Sequence, residues 1–308
     1  MTATQLRSWW ALSAAVFVGC AETPQGGADA GRDAGAATAD LGPAREADGC
    51  LADEPGATRS PLRRCVLRVE GEARAYDGAP LAGRVITVCG PACFVGTTDA
   101  AGRFSVPVDV RLNPAVYSVQ VHGRPEYASR HFVMPGSGPD GVVRMTQALR
   151  LPRYSVVGAV IASTGGGRFE AGEVVLNVAP SARVEFDLEE FEYGELGQRL
   201  RWVLVRDEGL PEWAPAEGVA AMFALAPFNL TADQPMGLSV PNVGRLAAGA
   251  QVEFVMLDND ILSDPPNAGR GRVVARGAVS DDGLRVSTGA GEGLRVLTWV
   301  GVRPATRP

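Results

Sequence analysis

Residues 65–76 read CVLRVEGEARAY, and from Leu67 onward apolar side chains alternate with charged ones. An alternation with a period of two places one set of side chains on each face of an extended strand, so this stretch predicts a half-buried β-strand. Asp77 and Gly78 follow as a turn. Between this strand and residue 151, apolar residues nowhere recur at helical spacing over three turns. This part of the chain is therefore predicted to form β-sheet.

Further short strands follow at regular spacing, which is typical of a β-sandwich. They are predicted at 84–88, 94–98, 103–106, 116–121 and 147–151. The turn between the second and third of these reads DAAG: Asp99 is suited to accept backbone N–H bonds there, and Gly102 supplies a positive φ.

Three motifs in this region carry a family resemblance: GEARAYDG at 71–78, PLAG at 80–83 and GTTDAAGRF at 96–104. Together they resemble the carboxypeptidase regulatory-like family, over about residues 66–151. The resemblance implies a transthyretin-like, seven-stranded sandwich of the kind found as an accessory module on exported proteins. It also implies that none of the motif residues is catalytic, despite the family's name.

A second β-rich domain is predicted after Pro152, with its first strand at 154–161 and a glycine turn at 165–167. Further strands are predicted at 184–188, 202–205, 222–225, 236–240, 252–257, 272–279, 284–287 and 294–302, with a hairpin turn at 280–283. The stretches 223–227, 235–242, 277–283 and 299–302 resemble ZU5-like modules of bacterial surface proteins, whereas 165–220 depart from that pattern. That resemblance implies a structural or interaction element.

The N-terminus predicts export and lipid anchoring. Arg7 precedes an apolar run at 9–18 that is too short to span a bilayer, as in a secretory signal. The sequence FVGC at 17–20 resembles the bacterial lipoprotein signal, in which the cysteine, here Cys20, is lipidated and becomes the first mature residue. An ordinary secreted protein is the alternative. Ala21 replaces the aspartate that favours inner-membrane retention in enteric bacteria, so the outer membrane is expected.

The predicted organisation is a signal peptide at 1–19, a lipid-anchored disordered tether at 20–64, the sandwich at 65–152 and the ZU5-like domain at 153–308. The tether is predicted from composition, because residues 21–49 contain no aromatic residue and only one larger aliphatic, Leu41. The expected fold class is all-β, with a transthyretin-like or immunoglobulin-like sandwich followed by a second β-rich domain.

Four cysteines remain once Cys20 is assigned to the lipid: Cys50, Cys65, Cys89 and Cys93. An even number in an oxidising compartment predicts disulfides. Three pairings exist, and Cys50–Cys65 with Cys89–Cys93 is favoured because each closes a short local loop. A zinc site is the alternative, although neither pair has the two-residue spacing of a zinc knuckle.

Two acidic groups are candidate calcium ligands. Glu185 and Asp187 lie in the predicted strand 184–188 and belong to an acidic cluster with Glu189, Glu190, Glu192 and Glu195, while Asp258 and Asp260 lie in a loop after a strand, with Asn259 and Asp264. A charged, solvated strand face is the alternative explanation. Trp213, between two prolines, is expected to be exposed and is the candidate for stacking on a sugar ring.

No catalytic site is predicted. The only histidines are His122, expected at a surface or strand edge, and His131, and no serine lies in a nucleophile-elbow motif. The net charge of −6 argues against a nucleic-acid partner. All basic residues are arginines, so a lysine–asparagine isopeptide bond cannot form.

The sequence therefore predicts a non-catalytic envelope lipoprotein that acts as a surface interaction or structural module. A carbohydrate-binding module that uses exposed aromatic residues is the alternative. The predicted partners are the membrane, through the lipid on Cys20, and envelope proteins or surface glycans. No cofactor is expected apart from calcium at the acidic residues.

Overall fold

The alternating stretch around Val69 forms the longest strand in the described part of the chain, and it organises the first half of the molecule. The structure, a computed structural model, describes residues 45–51, 60–259 and 267–305. The predicted signal peptide, the Cys20 lipid site, most of the tether and Asp260 lie outside the described residues.

The first half contains eight strands and one short 3₁₀ turn, Pro114–Val116. The strands are β1 (Arg64–Ala75), β2 (Val85–Cys89), β3 (Cys93–Thr97), β4 (Arg103–Leu112), β5 (Ser118–Val121), β6 (Arg130–Val133), β7 (Val142–Arg144) and β8 (Leu149–Leu151).

These strands form two four-stranded sheets. In one sheet β1 pairs with β4 antiparallel and with β7 and β8 parallel, and the other has the order β3-β2-β5-β6. The apolar faces of both sheets share one core, in which Val69, Ile86, Val106 and Val119 are fully buried. This arrangement confirms the prediction of a β-sandwich, and β6 and β7 are additional strands that the sequence did not reveal.

The second half contains twelve strands, two short helices and a 3₁₀ turn, Asp207–Gly209. The strands are β9 (Val156–Val160), β10 (Gly167–Ala171), β11 (Val174–Val178), β12 (Val184–Glu185), β13 (Arg199–Arg206), β14 (Ala221–Ala226), β15 (Thr231–Pro241), β16 (Gln251–Leu257), β17 (Gly271–Val279), β18 (Arg285–Thr288), β19 (Leu294–Val296) and β20 (Trp299–Pro304). The helices are α1 (Leu188–Phe191) and α2 (Gly194–Gln198).

All twelve strands belong to one curved sheet with the order β10-β11-β15-β18-β17-β16-β20-β14-β13-β9, while β12 and β19 also pair with β15. Its two end strands approach each other, so the sheet is almost a barrel. The contact is very close at Gly158, where a Cβ atom would lie 2.1 Å from the Glu170 carbonyl oxygen. The indole N–H of Trp202, on β13 next to the end strand β9, donates to the Ala171 carbonyl oxygen of β10 at 2.7 Å and links the two sides of the opening.

Two strand predictions in this half were wrong in extent. The strand expected at 184–188 ends at Glu185, because Asp187 begins α1 by accepting a hydrogen bond from the Glu189 backbone N–H. The strand expected at 294–302 is two strands, since Leu297 and Thr298 interrupt it. The other predicted strands are present in this half with shifted ends, and the all-β class is confirmed.

Packing is continuous between the two halves. A hydrophobic cluster contains Ala128 from the first half and Val205, Leu257 and Trp299 from the second, with Tyr76 packed against it. The described residues all fall within one compact unit, and the domain boundary at 152 and 153 stays a prediction. No helix in the described ranges has the length and apolar character needed to cross a membrane.

Candidate functional site

A large groove lies between the two halves of the described chain. Its volume is about 1480 Å³, and we name it the edge groove because two edge strands form part of its wall. The first half contributes residues 130–133, which are β6, and 145–150, which lead into β8. The second half contributes residues 206–213 and 269–271.

The strand edges at this groove follow from the topology of the sandwich. In the described part of the chain, β6 pairs only with β5, and β8 pairs only with β1. One end of β6 is covered by the second half, since a Cβ atom on Gly269 would lie 2.8 Å from the Val133 backbone nitrogen. The groove therefore runs along the open side of the sandwich.

Arg130 is the buried charge of this groove, with 9% of its surface exposed. Its guanidinium lies 4.4 Å from the centre of the Phe132 ring and 5.1 Å from that of Trp299. One terminal N–H donates to the Gly209 carbonyl oxygen at 3.3 Å, while Nε has no acceptor among the described residues. Burial lowers the pKa of Arg130 to about 10, against the opposing effects of Tyr76 and Glu212, so the side chain is still protonated at neutral pH.

Tyr76 lies beside Arg130 and shares its acceptor. Its hydroxyl donates to the Gly209 carbonyl oxygen at 2.9 Å. Burial raises the pKa of Tyr76 to about 12, and the charges of Arg130 and Arg150 act in the opposite direction. Arg150 is exposed and lines the same groove. Tyr76 is therefore a neutral donor between two cations.

Trp213 also lines the groove, but the expectation that it is exposed was wrong. The indole is half-buried, and its N–H donates to the Gly269 carbonyl oxygen at 3.0 Å. The ring lies against Gly271, where a Cβ atom would come within 2.6 Å of it. A glycine-containing segment that is distant in the sequence thus covers part of the side chain.

A buried ionic cluster, which we name the clasp, joins the two halves away from the groove. It consists of His122 and Arg124 from the first half and Asp187, Glu189, Glu190 and Arg201 from the second. Arg124 donates to Glu189 at 2.6 Å and to Asp187 at 3.1 Å, and its Nε lies 3.2 Å from Glu190. The Phe228 backbone N–H donates to Glu190 at 2.9 Å, and Arg201 donates to the same carboxylate at 3.2 Å.

The clasp concentrates opposite charges around two buried side chains, those of Arg124 and Glu190. Burial disfavours the charge on Arg124, but Asp187, Glu190 and Glu189 outweigh it and raise the pKa of Arg124. Burial raises the pKa of Glu190, and Arg124 and Arg201 act against this rise. Burial acts on Glu189 in the raising direction, but the hydrogen bond and charge of His122 and the charge of Arg124 together outweigh it, so that the pKa of Glu189 is lowered. The clasp fixes the relative position of the two halves and hence the walls of the groove.

Among the described calcium candidates, Asp187, Glu189 and Glu190 come together in the clasp, where each contacts Arg124, and the others lie elsewhere. Glu185 is exposed on β12, whereas Asp187 belongs to the clasp. Asp258 is fully buried, lies 3.3 Å from the Arg272 Nε and accepts a hydrogen bond from the Asn259 backbone N–H at 3.1 Å. Within the described ranges, no group of ligand atoms close enough to hold a metal ion contains these carboxylates. Calcium binding stays a prediction.

Both predicted disulfides are present at bonding distance. Cys50 is joined to Cys65, with 5.8 Å between their Cα atoms, and Cys89 is joined to Cys93, with 4.2 Å. The only cluster of metal-ligating residue types in the described ranges is Asp48 with Cys50 and Cys65, and it has no free thiolate because the two cysteines are bonded to each other. This pairing removes the zinc alternative for the four cysteines.

His122 is more buried than predicted, and His131, for which no position was predicted, is buried as well. The His122 side chain is 10% exposed and lies 2.7 Å from Glu189 and 3.2 Å from the Thr87 hydroxyl, so its expected surface position was wrong. His131 Nδ1 lies 3.2 Å from the Ser118 hydroxyl, yet each residue is only 1% exposed. A substrate cannot reach the serine hydroxyl of this pair.

Sequence reasoning missed Arg124, Arg130 and Arg201, and it assigned Glu190 to a calcium cluster and not to a buried ion pair. Charged side chains next to apolar ones predict a solvated strand face, and no local pattern marks these four as buried. Comparisons with known proteins add no identification: no protein-family model matches the chain, and a search of curated proteins finds no match. The two family resemblances therefore stay predictions.

Proposed function

We propose that this chain is a non-catalytic lipoprotein of the cell envelope, anchored in the outer membrane through lipid on Cys20, which binds a protein partner in the edge groove. The observation that carries the proposal is the groove itself, an open cavity of about 1480 Å³ whose walls come from both halves of the chain. Because the clasp fixes those walls, the partner meets a preformed site and little binding energy is lost in ordering it.

A binding role accounts for the chemistry of the groove better than catalysis does. Arg130 and Tyr76 both donate to the Gly209 carbonyl oxygen, which orients them without activating a nucleophile. The one serine–histidine contact near the groove, Ser118 with His131, is shielded from substrate by burial. Donors and charges fixed on a concave surface are typical of recognition.

Affinity capture tests the proposal. The full chain, purified from membranes in detergent, is immobilised and exposed to envelope proteins, and the retained proteins are compared with those on a Thr146→Trp variant. Thr146 is an exposed residue of the groove wall, so the indole fills the groove without entering a core. Thr164→Trp places the same substitution on an exposed residue away from the groove and serves as the control. We expect a specific protein on the wild type and the control but not on Thr146→Trp; identical retention on all three would refute the proposal.

Carbohydrate binding is the second candidate, because Trp213 lines the groove. Aromatic rings stack on sugar rings through their apolar faces. Retention of purified cell-wall glycans, with loss in Trp213→Ala, would favour this candidate over a protein partner. The covered ring and the internally bonded indole N–H leave Trp213 less available for that role than an exposed side chain.

Lipid anchoring is tested separately from binding. Labelled palmitate is expected to enter the wild-type chain and not a Cys20→Ser variant, since the cysteine thiol is the attachment point. Equal labelling of both chains would exclude Cys20 as the lipid site. Two acyl chains on the modified residue would hold the protein stably, which a single chain does not.

A further inference from the structure

We propose that Arg130 and Arg150 form a carboxylate-binding site in the edge groove, and that this site takes an acidic side chain of an extended segment of the partner protein. The inference rests on the proposed function and names the chemistry of its ligand. It is drawn from the charge, burial and geometry of the groove.

The buried charge of Arg130 lacks a close partner. Three arginines are buried in the described part of the chain: Arg124, Arg130 and Arg201. Arg124 and Arg201 each have a clasp carboxylate within 3.2 Å. Arg130 has no ion-pair partner among the described residues, its Nε has no acceptor, and the charge of Glu212 acts on it only from beyond ion-pair distance. A buried cation without a carboxylate in contact is costly, and a carboxylate from a ligand would supply the missing partner.

The Arg130 guanidinium has a fixed orientation. The centres of the Phe132 and Trp299 rings lie 4.4 and 5.1 Å from it, and the hydrogen bond to Gly209 holds one end. A planar guanidinium binds a carboxylate with two parallel N–H bonds when its plane is already set. Arg150, exposed on the same wall, adds a second positive charge near Tyr76 and forms no ion pair within the described ranges.

The strand edges and the mixed charges of the groove favour a polypeptide as the carrier of the carboxylate. The walls at β6 and β8 are strand edges, and an extended peptide recognises such edges through its backbone groups. The rest of the groove has both signs of charge, with Arg206 and Arg270 beside Glu208 and Glu212. Carboxylates in the wall disfavour a uniformly anionic polysaccharide, whereas a polypeptide presents single acidic groups between neutral ones.

Two matched peptides test the inference. The acetylated, amidated sequence Thr-Glu-Thr-Glu-Thr-Glu and its analogue with glutamine for glutamate are titrated against the full chain in detergent. We expect the glutamate peptide to bind about tenfold more tightly, because hydrogen bonds to a charged group are the stronger ones. The affinity for the glutamate peptide is expected to fall with added salt.

Variants locate the site. Arg130→Gln is expected to remove the tenfold preference, and Arg130→Lys to keep only part of it, since lysine retains the charge and loses the planar fork. Thermal melting shows whether these variants are folded. If Arg130→Gln is unfolded, Arg150→Gln at the exposed position is tested instead. This variant is expected to reduce the preference for the glutamate peptide by about threefold. Arg153→Gln is the matched control, because Arg153 is 69% exposed and does not line the groove.

The outcomes separate this inference from the proposed function. Equal binding of the two peptides, or an unchanged preference in folded Arg130→Gln, overturns the carboxylate site. Binding of trigalacturonate without binding of the glutamate peptide overturns the choice of a polypeptide. If an envelope protein is still captured in the groove of Arg130→Gln, the proposed function stands and only the carboxylate site fails. If no protein is captured by the wild type, the proposed function itself fails.

Discussion

Arg124→Met is the substitution that tests the clasp most directly. Methionine fills a similar length with an apolar side chain, so the change removes the charge and its hydrogen bonds with little loss of volume. The Arg124 side chain is 1% exposed and contacts three carboxylates. After the substitution, Glu190 retains Arg201 and Glu189 retains His122, whereas Asp187 loses its guanidinium partner.

The expected cost follows from what stays buried. Removing one partner of a buried ion pair costs about 3–5 kcal/mol, because the remaining charge is left without compensation. The lower end applies here, since Asp187 and Glu189 are 26% and 41% exposed and regain water, and Glu190 keeps a second arginine. We therefore expect the free energy of unfolding to fall by about 3 kcal/mol.

A double variant tests whether this loss is electrostatic. Burial already raises the pKa of Glu190, and Arg124 provides the largest opposing effect. Without Arg124 the fully buried Glu190 carboxylate keeps only Arg201 as a cationic partner and cannot regain water, so adding Glu190→Gln to Arg124→Met is expected to recover at least about 1 kcal/mol.

Urea unfolding monitored by tryptophan fluorescence measures both effects. Arg168→Met is the control: Arg168 is 62% exposed and lies 2.7 Å from Glu170, so its loss is expected to cost less than about 1 kcal/mol. The reasoning would be refuted if Arg124→Met were as stable as the control, or if Glu190→Gln added a further full loss in the double variant. The first result would mean that desolvation cancels the attraction, and the second that Glu190 is stabilised independently of Arg124.

Three further predictions concern other parts of the fold. Replacing Cys50 and Cys65 with serine opens a loop of 15 residues and is expected to cost about 3 kcal/mol, measured by denaturant unfolding; no loss would show that the bond does not constrain the unfolded chain. Gly158→Ala is expected to destabilise the near-barrel by about 1–3 kcal/mol, while Gly136→Ala, with open space around it, is the control; equal melting temperatures would contradict the close strand contact. The pKa of Glu189 is lowered, so its stabilisation is present above the ordinary value near 4.5 and is lost as pH falls: the melting difference between wild type and Glu189→Gln is expected to shrink in acid, and a constant difference would speak against it.

The sequence predicted those strands whose side chains alternate in polarity. β1 and β4 have one buried and one exposed face, and the period of two is visible without further information. β6 and β7 were missed because their side chains do not alternate: in β6 the charged Arg130 and the neighbouring His131 are both buried and Val133 is exposed, and β7 begins with two buried valines. α1 was missed because Asp187 acts as its N-cap within a stretch that otherwise alternates.

The candidate site was beyond sequence reasoning for a different reason. Local patterns assign a face to each side chain, but they do not say which other element covers that face. Arg130 is buried because Trp299 and the carbonyl of Gly209, both distant in sequence, lie against it. Trp213 is half-buried because Gly269 and Gly271 approach it from a separate loop. The disulfide pairing, in contrast, was predicted correctly from the sequence. The length of the loop that each bond closes is a local property that can be read from the cysteine spacing.

The buried arginines have two roles: those of the clasp form ion pairs within the chain, and Arg130 faces the groove. Buried ion pairs contribute little net stability compared with apolar packing, but they accept only one arrangement of partners. At the clasp, Arg124 and Arg201 are balanced by carboxylates within the chain, so this contact sets the orientation of the two halves. Arg130 lies at the same junction without such a carboxylate, and it faces a groove rather than a core. If all three buried arginines served only to hold the halves together, each would be expected to have a carboxylate partner within the chain. Because Arg130 differs from Arg124 and Arg201 in this respect, we infer that the partner binds in the groove.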